Sequence, residues 1–434
     1  MSFAPEIVGL IGFIGLILLV LIRIPIVVAL GMVGVIGYTV IDGWTRASIA
    51  LGDLPFAMAR NYSLSVLPLF ILMGVVAARA GMARELFDAA NTLFSGVRGS
   101  LAMASVGTCA GFGAISGSSV ATAASIASIA IPEMQRHGYD TRLATGTIAS
   151  AGTLGILIPP SIILVVYAIL AEQSVPTLFA AGVLPGILYG LMQIALIVFI
   201  GWRRPDAVPR APGAAMLERL KAVLGFWKIG VLFLLAVGGI YNGWFSPTEA
   251  AAIGALGAIL IALLTRALRL RDLIPCLRET VLTTAELVLV MLGGYMFSYF
   301  ITISQIPSAL ADLLVANNLP GIVVILFITL IYLILGLFLD SISMMLITVP
   351  IFLPIVQSLG FDPIWFGIYV VIVAEIGLIT PPVGMNIYVI HSQLPELSLR
   401  DLYGGIMPFL GVALLMILLI VNGGVKTYQR AAQK

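Results

Sequence analysis

The feature that most constrains this chain is a succession of apolar runs, each about 20 residues long, which is the length a helix needs to cross a bilayer. Lipid offers no partner for backbone N–H and C=O groups, so a spanning segment must be a helix or part of a closed barrel. Barrel strands alternate apolar and polar residues; these runs are continuous, and therefore helical. Charged residues make up 10% of the 434 positions and hydrophobic ones 61%, against about 25% charged in a soluble domain. The chain thus reads as an all-α, multi-pass integral membrane protein. A formal net charge of +2 gives no sign of nucleic-acid binding. Cys109 and Cys276 are too few for a disulfide framework, and His137 and His391 too few for a histidine-ligated metal enzyme. No Lys or Arg precedes Arg23, which argues against a cleaved signal peptide.

In chain order, spans are expected over Ile7–Ile22, Ile24–Val40 and Ser65–Ala80, with interfacial helices over Gly43–Arg60 and Met82–Arg98. The next stretch is built from small and hydroxylated residues: Gly111-Phe112-Gly113-Ala114-Ile115-Ser116-Gly117-Ser118-Ser119-Val120-Ala121-Thr122. Glycine frees the backbone, and hydroxyls and carbonyls are the hard oxygens that a small cation prefers. Such backbone survives at bilayer depth only inside protein or beside a wet cavity. We read it as the tip of a re-entrant hairpin, with limbs near Ser100–Gly111 and Ser119–Ile131; close helix packing through small residues is the alternative. A polar loop is expected over Pro132–Arg142. Leu143–Leu170 then carries Pro159-Pro160, which remove amide donors and break the helix in mid-membrane. Val175–Ile200 closes this part, and a basic stretch follows over Trp202–Lys228.

The pattern then restarts. Spans are expected over Ile229–Phe245, Thr248–Leu264 and Val281–Ile303, and an interfacial segment over Pro307–Asn318. A second hairpin has limbs near Ile322–Phe338 and Ser343–Ile355, a second broken span lies over Ile364–Ile390, and the last span over Leu402–Val421. Pro132, Gln135, Gly138, Asp140, Gly155, Pro159 and Pro160 all match an identical residue 222 positions later, and Ser119 falls opposite Ser341. Each half holds five spans and one hairpin, and an odd number inverts the second half. Inverted repeats with paired broken helices point to a secondary transporter with its site at the midplane. The halves are residues 1–201 and 229–434, joined by the linker 202–228. Its basic residues, with those of 265–278, place both loops in the cytoplasm and the N-terminus outside; Lys426, Arg430 and Lys434 oppose that orientation mildly.

Three motifs add a family resemblance: Gly113-Ala114-Ile115-Ser116-Gly117-Ser118-Ser119-Val120-Ala121, Ser246-Pro247-Thr248-Glu249-Ala250-Ala251 and Thr380-Pro381-Pro382-Val383-Gly384-Met385-Asn386. Over essentially its whole length the chain resembles the large permease subunit of tripartite ATP-independent periplasmic (TRAP) transporters. The resemblance implies an inner-membrane, sodium (Na+)-driven importer of organic anions, usually carboxylates, with an elevator-type ion-transporter fold. It implies two partners: a small four-helix membrane subunit, here expected as a separate chain, and a periplasmic substrate-binding protein. On it, sodium oxygens are expected from Ser116, Ser119, Thr153, Gly155 and Pro159 in one half and from Asp340, Ser341, Gly377, Thr380 and Pro381 in the other. Substrate contacts are expected from Ser116, Ser118, Ser343, Gly384 and Asn386.

Asp340 carries two readings, since an acid between apolar limbs is a functional residue by default and also suits a helix cap. Glu249 reads as a capping acid, and Glu375 as an acid that orients the second break. Competing functions are a stand-alone ion-coupled carboxylate transporter, a channel, and an intramembrane serine enzyme; neither histidine is placed to act as the base of the last.

Overall fold

The computed structural model describes residues 4–210, 213–317 and 319–432, and within the helix ends at 315–316 and 425–432 the backbone only. Its described residues are helical almost throughout. Pro5–Leu21 and Ile26–Asp42 form a pair joined at Arg23, whose φ is +66°, with Pro25 capping the second helix. Trp44–Arg60 and a 3-10 turn, Tyr62–Ser65, lead into Val66–Arg79. Met82–Phe94 is amphipathic and buries Met82, Leu86 and Phe87 on a face that packs along the first hairpin. Six described helices are long and apolar enough to cross a membrane, or eight when each of two bent pairs counts once. The ten crossings expected include helices of 17 residues at the N-terminus and the second broken span, which are shorter.

The first hairpin comprises Ser100–Ser116 and Ser119–Arg136, and the second Gly321–Leu335 and Ser341–Ser358. Their second limbs are longer than expected. The polar loop at Pro132–Arg142 is corrected: helix continues to Arg136 with Pro132 inside it. Ala127, Ala130, Ile131 and Met134 are buried on both sides of that proline, and this packing holds the helix together. Pro350 and Pro354 lie inside the corresponding limb. The basic stretch 202–228 is also ordered in part, with the helix Met216–Leu224. The expected span at Ile229–Phe245 instead runs Trp227–Phe233, a π-turn at Leu234–Gly238, and Gly239–Tyr241. The expected segment Pro307–Asn318 is the helix Ile306–Ala316, its last expected residue lying outside the described set, as does Lys434.

Several pairs of residues 222 positions apart adopt the same local structure. Gly138 and Gly360 both take left-handed φ, +75° and +83°. Asp140 and Asp362 both cap the next helix, accepting from the amides of Arg142 and Trp365. Pro159-Pro160 and Pro381-Pro382 are both cis. The two parts also interlock: Ile26–Asp42 packs along Leu273–Ile303, and Pro247–Leu264 along Val66–Arg79. Glu249 is the capping acid expected, since the Ser246 amide donates to its carboxylate and its own amide to Ser246 Oγ.

The linker braces the base of the first hairpin. Arg219 Nη2 donates to the Ser95 carbonyl at 2.7 Å, and Arg210 Nε to the Gly96 carbonyl at 2.9 Å. On the far side of the hairpin the Asp140 amide donates to the Ala207 carbonyl. Lys228 is buried and pairs with Glu85 at 2.6 Å.

Candidate functional site

At the first tip the helix Ser100–Ser116 stops at Gly117, whose φ of +61° a side chain would resist. Ser118 caps the second limb, its Oγ accepting from the Ala121 amide at 3.3 Å. Ser116 Oγ and Thr122 Oγ1 share a hydrogen bond of 2.8 Å, and Ser119 is buried at the first turn. The first broken helix runs Thr141–Gly152, a single turn at Leu154–Leu157, an extended stretch through the proline pair, and Ile162–Leu170, bent by 47°. Thr153 Oγ1 donates to the Ser150 carbonyl at 2.6 Å, and Ser161 caps the second half. Tip and break touch backbone to backbone: a Cβ at Gly113 would stand 2.2 Å from Gly155 Cα. Gly155 is therefore fixed by close approach, since a Cβ there would stand 2.9 Å from both Gly113 Cα and Thr122 Oγ1.

The second tip has the same plan with different chemistry. Asp340 stands where Ser118 does, and its carboxylate accepts from the amides of Ile342 (3.0 Å) and Ser343 (3.2 Å) and from the Ser343 hydroxyl. The capping reading of Asp340 is thus realised, and the Ser343 hydroxyl is engaged by it. Ser341 Oγ donates to Glu375 Oε1 at 2.7 Å. The second broken helix runs Pro363–Gly377, then through Thr380, Pro381 and Pro382 to Gly384 (φ +64°), which precedes Met385–Gln393. Thr380 Oγ1 donates to the Ile376 carbonyl at 2.6 Å. Here too glycines meet, a Cβ at Gly336 standing 2.6 Å from Gly377 Cα.

The two sets converge. Met385–Gln393 packs on the second limb of the first hairpin, and Ile162–Leu170 on the second limb of the second. Asn386 is buried and its Nδ2 donates to the Ala149 carbonyl of the first broken helix at 3.3 Å, while its Oδ1 is buried with no hydrogen-bond partner among the described residues. The sites are not equally enclosed: Thr153, Gly155 and Pro159 are buried, whereas Thr380 and Pro381 are half-buried and Pro382 is exposed. A cavity of about 590 Å3 lies elsewhere, between Pro185, Phe361, Trp365 and Ile420.

Sequence reasoning left Glu375 outside the site, although an acid within an apolar run was the available signal. It missed a buried polar group altogether: Gln193 Nε2 donates to the Ser150 carbonyl at 3.3 Å, and Ser150 Oγ lies 3.4 Å from Tyr189 Oη. Nothing in the sequence around Gln193 marks it, because a lone amide in a long apolar helix is compatible with any packing role. Among the described residues no three His, Cys, Asp or Glu side chains gather as for a transition metal. The polar groups at the tips are hydroxyls, carbonyls and carboxylates, all hard oxygens.

Comparison with known proteins agrees with this architecture. The family described as "Tripartite ATP-independent periplasmic transporter, DctM component" matches residues 13–422. The chain is 39% identical to the C4-dicarboxylate TRAP transporter large permease protein of Pseudomonas aeruginosa, covering 84% of this chain and 85% of that one. It is 34% identical to the protein of the same description from Vibrio cholerae, over 92% of each. Among solved structures, the YdaH transporter of Alcanivorax borkumensis shares the fold, with a TM-score of 0.62 at 16% identity over 87% of this chain and 88% of that one. The chain therefore belongs to the TRAP transporter family as a DctM-type large permease subunit, a multi-pass inner-membrane transport protein and not an enzyme.

Proposed function

We propose that this subunit imports organic anions, carboxylates in particular, in symport with sodium, by an elevator movement of two inverted repeats. The observation that carries the reading is the convergence of both hairpin tips and both broken helices, each broken helix resting on the other half's hairpin. Ser116, Ser119, Thr153, Gly155 and Pro159 form one sodium locus, and Asp340, Ser341, Gly377, Thr380 and Pro381 the other. Ser116, Ser118, Ser343, Gly384 and Asn386 face the substrate. An anion is costly to place in a low-dielectric site, and a neighbouring cation with helix N-termini lowers that cost. Sodium moves the inward–outward equilibrium only through its differential affinity for the two states.

A periplasmic binding protein delivers the substrate, and a small four-helix subunit completes the membrane complex; family membership supports both. The C4-dicarboxylate description of the two relatives favours small dicarboxylates. The test is uptake of a radiolabelled C4-dicarboxylate into proteoliposomes carrying both membrane subunits. Uptake is expected only with an inward sodium gradient and the binding protein. Uptake of free dicarboxylate by this chain alone would favour a stand-alone carrier, and flux that never runs uphill with sodium would favour a channel.

A further inference from the structure

Val175–Arg203 is long and apolar enough to cross a membrane, and its last turn brings aromatic and basic side chains to one level. Phe199 and Trp202 are both exposed, with ring centroids 6.3 Å apart, and the Arg203 guanidinium lies over the Phe199 ring at 5.6 Å. Such rings gather at the headgroup level of a bilayer. An arginine there lays its stem on apolar surface and keeps its charge at the boundary. Two adjoining cavities lie between this end and Leu399–Ala432. One, of about 340 Å3, is lined by Phe199, Ile200, Arg203, Arg204 and Pro408. The other, of about 270 Å3, shares Ile200, Arg204 and Pro408 with it and extends to Asp140 and Arg142. Backbone sets the far end of this groove: a Cβ at Gly405 would stand 2.1 Å from the Arg142 carbonyl oxygen.

Charge along the groove is unbalanced. Asp140 is the one carboxylate among the described residues lining either cavity, and it accepts from the Arg142 amide at 2.7 Å. Arg142 is itself engaged, its Nε donating to Asp401 at 3.0 Å. Arg203 and Arg204, both exposed, line the first cavity side by side. Guanidinium groups grip phosphate oxygens through paired N–H donors, and the neighbouring walls are apolar. We propose that this groove binds an anionic phospholipid, with its phosphate held by Arg203 and Arg204 and its upper acyl segment lying along Phe199, Ile200 and Pro408. The Ala207 carbonyl, three residues beyond Arg204, accepts from the Asp140 amide, which sets the headgroup beside the start of the first broken helix. The groove lies apart from the tips and breaks, and its recognition of lipid does not depend on the transport reading.

The test is native mass spectrometry of the complex of large and small subunits, titrated in detergent with dioleoylphosphatidylglycerol or with zwitterionic dioleoylphosphatidylcholine. The wild type is expected to hold one phosphatidylglycerol about tenfold more tightly than phosphatidylcholine. Arg203→Ala with Arg204→Ala is expected to weaken phosphatidylglycerol about tenfold, and Arg203→Lys with Arg204→Lys less than about threefold. Ile200→Trp, which fills the groove without altering charge, is expected to weaken it about tenfold. Phe199→Ala, which strips an exposed wall, is the second variant if Ile200→Trp fails to run as folded protein in size-exclusion chromatography. Arg269→Ala with Arg271→Ala, in the other basic loop, is expected to change nothing. Equal affinity for the two lipids, or an equal loss from the 269 and 271 pair, overturns the site in favour of diffuse attraction. Full binding in the wall variant overturns it too, as does inorganic phosphate bound as tightly as the lipid, because the apolar wall would then contribute nothing. Binding to the large subunit alone but not to the complex overturns it by giving the groove to the small subunit.

Discussion

Ser118 and Asp340 stand at the same place in the two hairpins and cap the same helix turn, yet one brings a neutral hydroxyl and the other a carboxylate. The difference extends to the breaks. Thr153 turns its hydroxyl onto its own helix, whereas Glu375, its counterpart, accepts from Ser341 of the second tip. The first break is enclosed and the second partly open. One backbone plan thus carries two electrostatic environments. The first tip presents a helix N-terminus with hydroxyls alone; the second places two carboxylates, Asp340 and Glu375, near its N-terminus. Where backbones cross, by contrast, the two halves are alike.

The largest effect tests that likeness. Gly155→Val and Gly377→Val put side chains where Cα atoms of the partner glycines stand under 3 Å from a Cβ. Such overpacking is destabilising by about 1–3 kcal/mol or more. Both variants are expected to lose most folded protein in size-exclusion chromatography and most uptake; loss in only one half would break the comparison. Next, Asp340→Asn is expected to raise the sodium concentration for half-maximal uptake about tenfold, equivalent to about 1.4 kcal/mol. Ser118→Ala is expected to leave it within about twofold, as a cap loss of about 1 kcal/mol acts on stability. Equal sodium shifts in the two variants would erase the electrostatic distinction.

A smaller effect is expected at Asn386. Replacement by Leu removes the donor to the Ala149 carbonyl and should lower stability by about 1 kcal/mol. It should also slow uptake, measured at saturating sodium. Smallest of all is Arg142→Ala, which breaks the 3.0 Å pair with Asp401. Both side chains are exposed, and such pairs contribute about 0–1 kcal/mol; thermal unfolding in detergent should shift by no more than a few degrees.

Much of this was legible in the sequence because the membrane restricts what a chain can do. Continuous apolar runs had to be helices, paired prolines had to break them, and a constant spacing of 222 had to join equivalent positions. The helices are accordingly interrupted at both proline pairs, and helices end and restart between Ser116 and Ser119 and between Leu335 and Ser341. What was not legible depends on packing. Pro132 was read as a terminator, but buried neighbours on either side carry the helix past it. Met82–Phe94 has the composition of an interfacial helix, and only its contact with the first hairpin shows which surface its apolar face covers. Glu375 announced itself as an unusual acid, but that the Ser341 hydroxyl of the second tip donates to it is a three-dimensional fact. Gln193 gave no signal at all.

The crosswise seating of the broken helices bears on how the protein is made. The second limb of the first hairpin, complete at Arg136, can pack on Thr141–Gly152 as soon as that helix is made, but its contact with Met385–Gln393 forms only near the end of synthesis. For some 250 residues of translation that one side of the limb lacks its native neighbour. The crosswise contacts that join the two halves are thus completed by the end of the chain rather than by its beginning.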